Sequence, residues 1–381
     1  MDLRALLAAT IELGGSDLHL KVDSPPRVRI DGQLTPLDLP TVTDEDTEGV
    51  LAVVTQRTPR KHQHFMASGD LDTAYTAPGV GRFRVNGFRQ KGSISFAFRY
   101  VPSAVPTLDG LGLPDGVRDL ANEHRGLILV TGATGSGKTT TLAAMIDHIN
   151  KTRRMHIVTL EDPIEIVHRD AGCIVQQREV GLDVDSFNEV MRRVLRQDPD
   201  VILIGELRDE ETARTALQAG ESGHLVLSTM HTIDAHETVG RMIELFPHAK
   251  QMLVRQIMSS VLRGVISQRL LPQVDGGRVA AVEVMKNTAR VAEMIREPVK
   301  TDEIPKAITE GVAHAMQSFL QHLVALVLDG VVDEEEAANA ASSRHDFELA
   351  LARAKRTRAA EEAAPQDREI VRHSLRLRQA S

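Results

Sequence analysis

Residues 132 to 139, Gly-Ala-Thr-Gly-Ser-Gly-Lys-Thr, fit the pattern G-x-x-x-x-G-K-[ST] in full. The residue types dictate a phosphate chemistry. Glycines let successive backbone N–H groups curl around an anion, and the start of the next helix adds positive potential. Lys138 reaches the β and γ phosphates, and Thr139 offers its hydroxyl to Mg2+. The context is the required one, because an apolar strand over 127–130 runs into the motif and the helical pattern "KTTTLAAMIDHIN" leaves it. Gly132, Thr134, Gly135, Ser136, Gly137, Lys138, Thr139 and Thr140 form the expected ATP-binding set. ATP and Mg2+ are the expected ligands.

A phosphate site that does chemistry also needs carboxylates, and three strand tips offer polar groups. "DPDVILIGELRD" ends a buried strand in Gly205 and Glu206. P-loop enzymes commonly place an Asp at such a tip to hold Mg2+, whereas here Gly205 takes that position and the carboxylate comes one residue later. At a strand tip Glu206 can orient the attacking water or hold Mg2+ through its hydration shell. "TLEDPIE" brings Glu161 and Asp162 after another buried strand, and two carboxylates beside one phosphate can divide the base and metal roles. The expected metal contacts are Thr139, Asp162 and Glu206, directly or through water. In "GHLVLSTMHT", His224 and His231 stand at either end of a further strand, where an imidazole can orient water or serve only to complete the fold. His62 and His64, an HxH in a polar segment, read as solvated.

Positioning these tips requires a particular architecture. Short apolar runs ("GLILVTG", "HIVTLEDP", "DVILIGE", "HLVLSTMHT") alternate with helical patterns ("SFNEVMRRVLRQ", "DEETARTALQAG"), the signature of a doubly wound, mainly parallel α/β sheet. Ser186 and Glu189 read as an S-x-x-E capping box, and Gly220 as the cap that ends a helix. Before this region, "DLHLKV", "PRVRIDGQL", "LDTAYTA" and "GRFRVNGFRQKGSISFAFRYV" alternate like strands, with a helical stretch near 44–57 and a hairpin turn at Asp31-Gly32. The expected organisation is a small α+β domain over 1–100, a Pro/Gly linker over 101–116, an α/β ATPase domain with a helical C-terminal subregion over 117–355, and a tail over 356–381. A hairpin is expected around "LLPQVDGGRVAAVEVM".

Composition narrows the function classes. At 381 residues the chain accommodates two domains. A net charge of −8 gives no general attraction to nucleic acid or anionic lipid, and 3% aromatic residues with no tryptophan offer no stacking platform. No stable nucleic-acid binding is expected, and a nucleic-acid translocase ranks third among the readings. The single cysteine, Cys173, excludes an intrachain disulfide and a CxxC zinc site, and suits a reducing cytoplasm. The N-terminus reads as a short amphipathic helix, not a leader peptide, and no apolar run reaches the roughly 18 residues of a membrane span.

Taken together, "GATGSGKT", "LEDPIEIVH", "RQDPDVILIGELRD" and "AGESGHLVLSTMHT" resemble the Walker A, Asp box, atypical Walker B and His box of the secretion ATPase superfamily. Within it the chain is similar to the type IV pilus retraction ATPases, the PilT and PilU family, from "GGSDLHLKVDSPPRVRIDGQL" to "AMQSFLQHLVALVLDGVVDEEEA". The resemblance implies a homohexameric ring, a PAS-like N-terminal domain, a RecA-like ATPase domain and ATP sites between domains. It implies Glu206 as the catalytic carboxylate, Glu161 and His231 as the Asp-box and His-box residues, and Arg82, Arg84 and Arg99 as groups that approach the phosphates. Arginines on a second domain would neutralise charge on the transferring phosphoryl group only when the domains close, coupling hydrolysis to motion. The implied role is pilus retraction and twitching motility, at the inner face of the cell membrane, through an inner-membrane platform protein and, for some members, a paralogous retraction ATPase. Extension and type II secretion relatives carry a further N-terminal domain and a four-cysteine zinc element, which this sequence lacks. One segment departs from the retraction pattern: "RVAEMIRE" over 290–297 stands where "AIRNLIRE" is expected, with Ala292 and Glu293 replacing an Arg-Asn pair. That departure keeps a PilU-like accessory motor, or a nucleotide-binding interaction subunit, as the alternative to a retraction motor.

Overall fold

A computed structural model describes residues 1–102, 104–184 and 187–360, with the side chains of 188, 189, 191 and 192 set aside. The proposed Ser186/Glu189 capping box and most of the tail expected over 356–381 lie outside the described residues. The first third of the chain forms α1 (Leu3–Glu12), β1 (Asp17–Lys21), β2 (Arg27–Ile30), β3 (Gln33–Pro36), α2 (Asp44–Thr55), α3 (Pro59–Ser68), β4 (Asp70–Ala77), β5 (Gly81–Gln90) and β6 (Ser93–Val101). There follow α4 (Asp115–Ala121), β7 (Gly126–Thr131), α5 (Lys138–Thr152), β8 (His156–Glu161), β9 (Ile174–Glu179), α6 (Phe187–Val194), β10 (Val201–Ile204), α7 (Glu210–Glu221) and β11 (Leu225–Met230). The last elements are α8 (Ala235–Glu244), α9 (His248–Val261), β12 (Leu262–Pro272), β13 (Arg278–Lys286), α10 (Ala289–Arg296), α11 (Ile304–Glu310), α12 (Phe319–Leu328) and α13 (Glu334–Ala340), with further helix over 344–360.

The chain divides into two compact units, each with its own interior. The first comprises Met1–Pro106 and Ile146–Gly205. Its N-terminal part is an antiparallel sheet in the order β3-β2-β1-β6-β5-β4. The expected N-terminal amphipathic helix is α1: Asp2 caps it by accepting from Ala5 N at 3.1 Å, and Leu3, Leu6 and Leu7 are buried. Asp31 and Gly32, at φ 47° and 83°, make the β2–β3 turn, which requires two left-handed residues. Phe65, Phe83, Phe96 and Phe98 fill the core. His62 was expected to be solvated; instead it is half-buried, with Nδ1 2.9 Å from the Thr55 hydroxyl, because the first turn of α3 folds against the end of α2. In the same unit β8 lies between β10 and β9, parallel to both, with Ile204 level with Leu160 and Glu161 level with Glu179.

The second unit comprises Thr107–Met145 and the described residues from Glu206 onward. Here the strands run β13-β12-β7-β11, with β7 parallel to β11 and β12 and the expected hairpin supplying antiparallel β13. β7 and β11 are buried along their whole length, so they read as continuous apolar runs, as parallel strands covered on both faces should. Gly220 does not end α7. The helix continues to Glu221, Ser222 closes it and Gly223 takes the left-handed conformation at φ 113°. Gly220 is instead a contact glycine: a Cβ there would stand 2.6 Å from Val261 Cγ1 and 3.2 Å from the Gly126 carbonyl carbon. Its missing side chain lets α7 lie directly against the start of β7. Among the described residues no helix is long and apolar enough to cross a membrane.

Candidate functional site: a phosphate loop and its carboxylate

In the second unit, strand register places the chemistry on one edge. Thr131 pairs with Met230 and with Ser267, so the loop that begins at Gly132 emerges level with His231 and with Gln268. The loop takes backbone conformations that only glycine adopts without strain: Gly132, Gly135 and Gly137 have φ of 142°, 80° and 90°. Space constrains it as well, since a Cβ on Gly132 would stand 2.4 Å from the Gln268 carbonyl oxygen and 2.6 Å from Ser136 Oγ. The Lys138 ammonium is buried and donates to the carbonyls of Gly132 (2.7 Å) and Ala133 (3.0 Å), which holds it across the loop. Thr131 Oγ1 donates to Ser267 Oγ at 2.8 Å, tying the strand end to its neighbour.

The residues present fit a nucleotide phosphate. The Ser136 hydroxyl is buried with no hydrogen-bond partner, in the cradle that a Cβ on Gly132 would fill. Thr134 and Gly135 are exposed, while Thr139 and Thr140 are half-buried in the first turn of α5. A cleft of about 410 Å³ is lined by the loop together with Ile233, Gln268, Leu270 and Arg278. No hydrogen bond within the described residues occupies the Thr139 hydroxyl, which suits an oxygen ligand of Mg2+. Among the described residues no group of three or more His, Cys, Asp or Glu gathers into a protein-only metal site. A hard cation here would complete its shell with phosphate and water oxygens.

Glu206, also in this unit, is fixed by the chain on both sides of its tip. The Leu207 amide donates to Thr229 O of β11 at 3.0 Å, turning the Glu206 side chain toward the end of that strand. One carboxylate oxygen is 3.1 Å from His231 Nε2, and the other accepts from Arg208 Nε at 2.7 Å. The carboxylate is 19% exposed, His231 49% and Arg208 75%, so a half-buried acid is held by two groups that reach into solvent. Arg208 had no role in the sequence reading. Its signal was present in the alternation Glu206-Leu207-Arg208, in which the buried Leu207 puts the two charged side chains on one side. His224 takes the other end of β11, where Nδ1 lies 3.1 Å from Ala219 O and 3.0 Å from the Ser222 hydroxyl, so it completes the turn after α7.

In the first unit the tip of β8 is built differently. Glu161 receives the Thr159 hydroxyl at 2.6 Å and the Gln177 amide at 3.0 Å on one oxygen. Burial pushes its carboxyl above the usual range, against these two hydrogen bonds. Asp162 is exposed. Arg82 forms a 2.5 Å ion pair with Glu179, whose side chain is 2% exposed and also accepts from Ile164 N at 3.1 Å. Arg84 lies 3.5 Å from Glu165, both about 45% exposed. Arg99 donates to Asp17 at 2.8 Å while remaining 67% exposed. Each arginine therefore has an acid within its own unit, and Arg82 is by far the most enclosed. Nothing in the polar pattern "IVQQRE" marked Glu179, whose burial comes from tertiary packing.

Comparison with known proteins places these features. Residues 113–339 match the family model described as Type II/IV secretion system protein. The type IV pilus retraction ATPase PilT of Pseudomonas aeruginosa is 42% identical, over 91% of this chain and 100% of its own length. The type IV pilus ATPase PilU of the same organism is 39% identical, over 92% of this chain and 91% of its own length. Among solved structures, the crystal structure of the pilus retraction motor PilT with bound ADP superposes with a TM-score of 0.84 at 42% identity, covering 92% of this chain and 99% of that one.

Proposed function

Because the chain belongs to the type II/IV secretion system protein family, we propose that it is a motor ATPase that couples ATP hydrolysis to type IV pilus retraction. The observation that carries this reading is the shared edge in the second unit, where the glycine loop, Lys138, Glu206 and His231 sit at the ends of neighbouring strands. The end-to-end match to a retraction motor, rather than to the nucleotide-binding part alone, assigns the work that hydrolysis does.

The geometry supports a division of labour. The loop amides and Lys138 bind the phosphates. Glu206 orients the attacking water, and His231 and Arg208 hold the carboxylate toward it. Thr139, Asp162 and Glu206 are the residues proposed to hold Mg2+, directly or through water, and the ion would supply charge neutralisation for the β and γ phosphates. Of the three arginines, Arg84 and Arg99 are the better placed to leave their acids for a phosphate, since Arg82 closes a buried pair. The proposed organisation is a PAS-like domain over 1–100, a linker over 101–116 and a RecA-like domain over 117–355. Six copies would form a ring at the inner face of the membrane and act on an inner-membrane platform protein.

The test is complementation of a host that lacks its own retraction ATPase. The wild-type chain should restore twitching motility and the Lys138→Ala chain should not. Absence of restoration by well-expressed, assembled wild-type protein would contradict a self-sufficient motor. A second reading is favoured by α10, where Glu293 replaces the expected residue and pairs with Lys300 at 2.5 Å while Arg290 pairs with Glu310. Its charges are engaged with the following segment. An accessory motor of the PilU kind would restore motility only beside a paralogous ATPase.

A further inference from the structure

We infer that Gln268, on β12, is a positioning residue that fastens the phosphate loop and aims one of its amides. This rests on reading 132–139 as the nucleotide phosphate loop. The Gln268 side chain is 1% exposed, and its Nε2 donates to the Ser136 carbonyl oxygen at 2.6 Å. Its contacts bracket the loop. The Gln268 backbone carbonyl fills the space where a Cβ on Gly132 would stand, at 2.4 Å, and Nε2 lies 3.0 Å from a Cβ on Gly137. The first and last glycines of the motif are thus pressed against one residue of the neighbouring strand. The preceding residue, Ser267, takes the hydroxyl bond from Thr131, so β12 grips the strand end and the loop together.

Planarity makes this bond directional. In a trans peptide the carbonyl of Ser136 and the N–H of Gly137 point in opposite directions. Anchoring that carbonyl on Gln268 turns the Gly137 N–H away from β12, and within the described residues this N–H makes no hydrogen bond. It is a donor left for an anion, immediately before Lys138 and the start of α5. Gln268 acts on the phosphate through the peptide it holds and does not touch the phosphate itself. In sequence the residue is one of a polar pair, Ser267-Gln268, inside the apolar run "VISQRLL". A buried amide there needs partners: its Nε2 has the loop carbonyl, while its Oε1 is buried without one.

The test is equilibrium binding of a fluorescent ATP analogue to the full-length chain, alongside steady-state kinetics. Gln268→Met keeps length and removes the donor; it should weaken binding about tenfold and raise KM by a similar factor, with kcat within about twofold of wild type. Gln268→Glu, which cannot donate to a carbonyl when ionised, should behave the same way or worse. A general packing defect would instead lower melting temperature and kcat together. If either variant misfolds, amide hydrogen exchange on the wild type decides: Gly137 N–H should become protected when Mg-ADP is added. Binding within twofold of wild type in folded Gln268→Met, or an unprotected Gly137 N–H in the ADP complex, overturns the inference. Loss of binding in Lys138→Ala with full binding in Gln268→Met removes only the positioning role. Full binding in both removes the loop reading and this inference with it.

Discussion

The two units present acids at strand tips in opposite ways. In the second unit Glu206 is held by His231 and Arg208, both of which extend into solvent and can move without opening the core. In the first, Glu161 is enclosed by a hydroxyl and an amide, and Glu179 is locked in a nearly dry pair with Arg82. A carboxylate that must meet a water and then release it suits loose, charged partners. One that must keep a strand end in shape suits tight, enclosed ones. The contrast teaches that similar sequence patterns, a carboxylate after a buried strand, receive loose charged partners or tight enclosed ones according to what packs over them.

Arg82→Ala should give the largest stability effect, because it leaves the Glu179 carboxylate buried without its cation. A loss of about 3–5 kcal/mol in denaturant unfolding is expected. Arg99→Ala should cost only about 1–2 kcal/mol, since Asp17 keeps the Ser16 hydroxyl at 2.7 Å and Arg29 at 3.9 Å. Equal losses would erase the distinction between locked and loose arginines.

Glu283 sharpens the comparison by being a locked acid in the second unit. It is 8% exposed on β13, accepts from Ala235 N at the start of α8, and is faced by Asp234 and Arg269. Burial raises its carboxyl to about 7, with the Ala235 amide opposing the shift. The folded chain therefore keeps a proton that the unfolded chain loses near the ordinary glutamate pKa, about 4.3. This contribution is full below that value, falls as pH rises toward 7, and is gone above it. Melting from pH 5 to 8 should show the wild type losing on the order of 3 kcal/mol relative to Glu283→Gln across that window. Parallel curves for the two proteins would refute the burial argument.

Gly220→Ala should cost about 1–3 kcal/mol in thermal unfolding by pushing α7 off β7. A neutral result would contradict the close approach of α7 to the start of β7. Smallest is Arg208→Ala: with the Arg208 side chain itself 75% exposed, stability should change by about 0.5 kcal/mol or less, while turnover falls. A large stability loss would place Glu206 among the locked acids.

Much of this was legible in the sequence, and the reasons differ by residue. The phosphate loop was legible because left-handed backbone at Gly132, Gly135 and Gly137 must be written as glycine. Strands β7, β8, β10 and β11 announced themselves as unbroken apolar runs, and Asp31-Gly32 as a turn that tolerates little else. Gly220 misled because a glycine near a helix end has two uses, and only the approach of β7 distinguishes them. Gln268 and Glu179 were illegible because their partners, Ser136 and Arg82, lie far away in sequence, whereas Arg208 stands two residues from Glu206 and its signal was there in the alternation. Local pattern carries backbone needs well and tertiary partners poorly.

In the proposed mechanism Glu206 performs the chemistry while the loop performs the binding. The direct measurement compares Glu206→Gln with wild type in ATP affinity and in single-turnover hydrolysis, with ring assembly checked by light scattering. Affinity should stay within about threefold of wild type while the hydrolysis rate falls by roughly 10²–10⁴, the range for loss of a positioned general base. Hydrolysis near the wild-type rate in an assembled Glu206→Gln ring would contradict it.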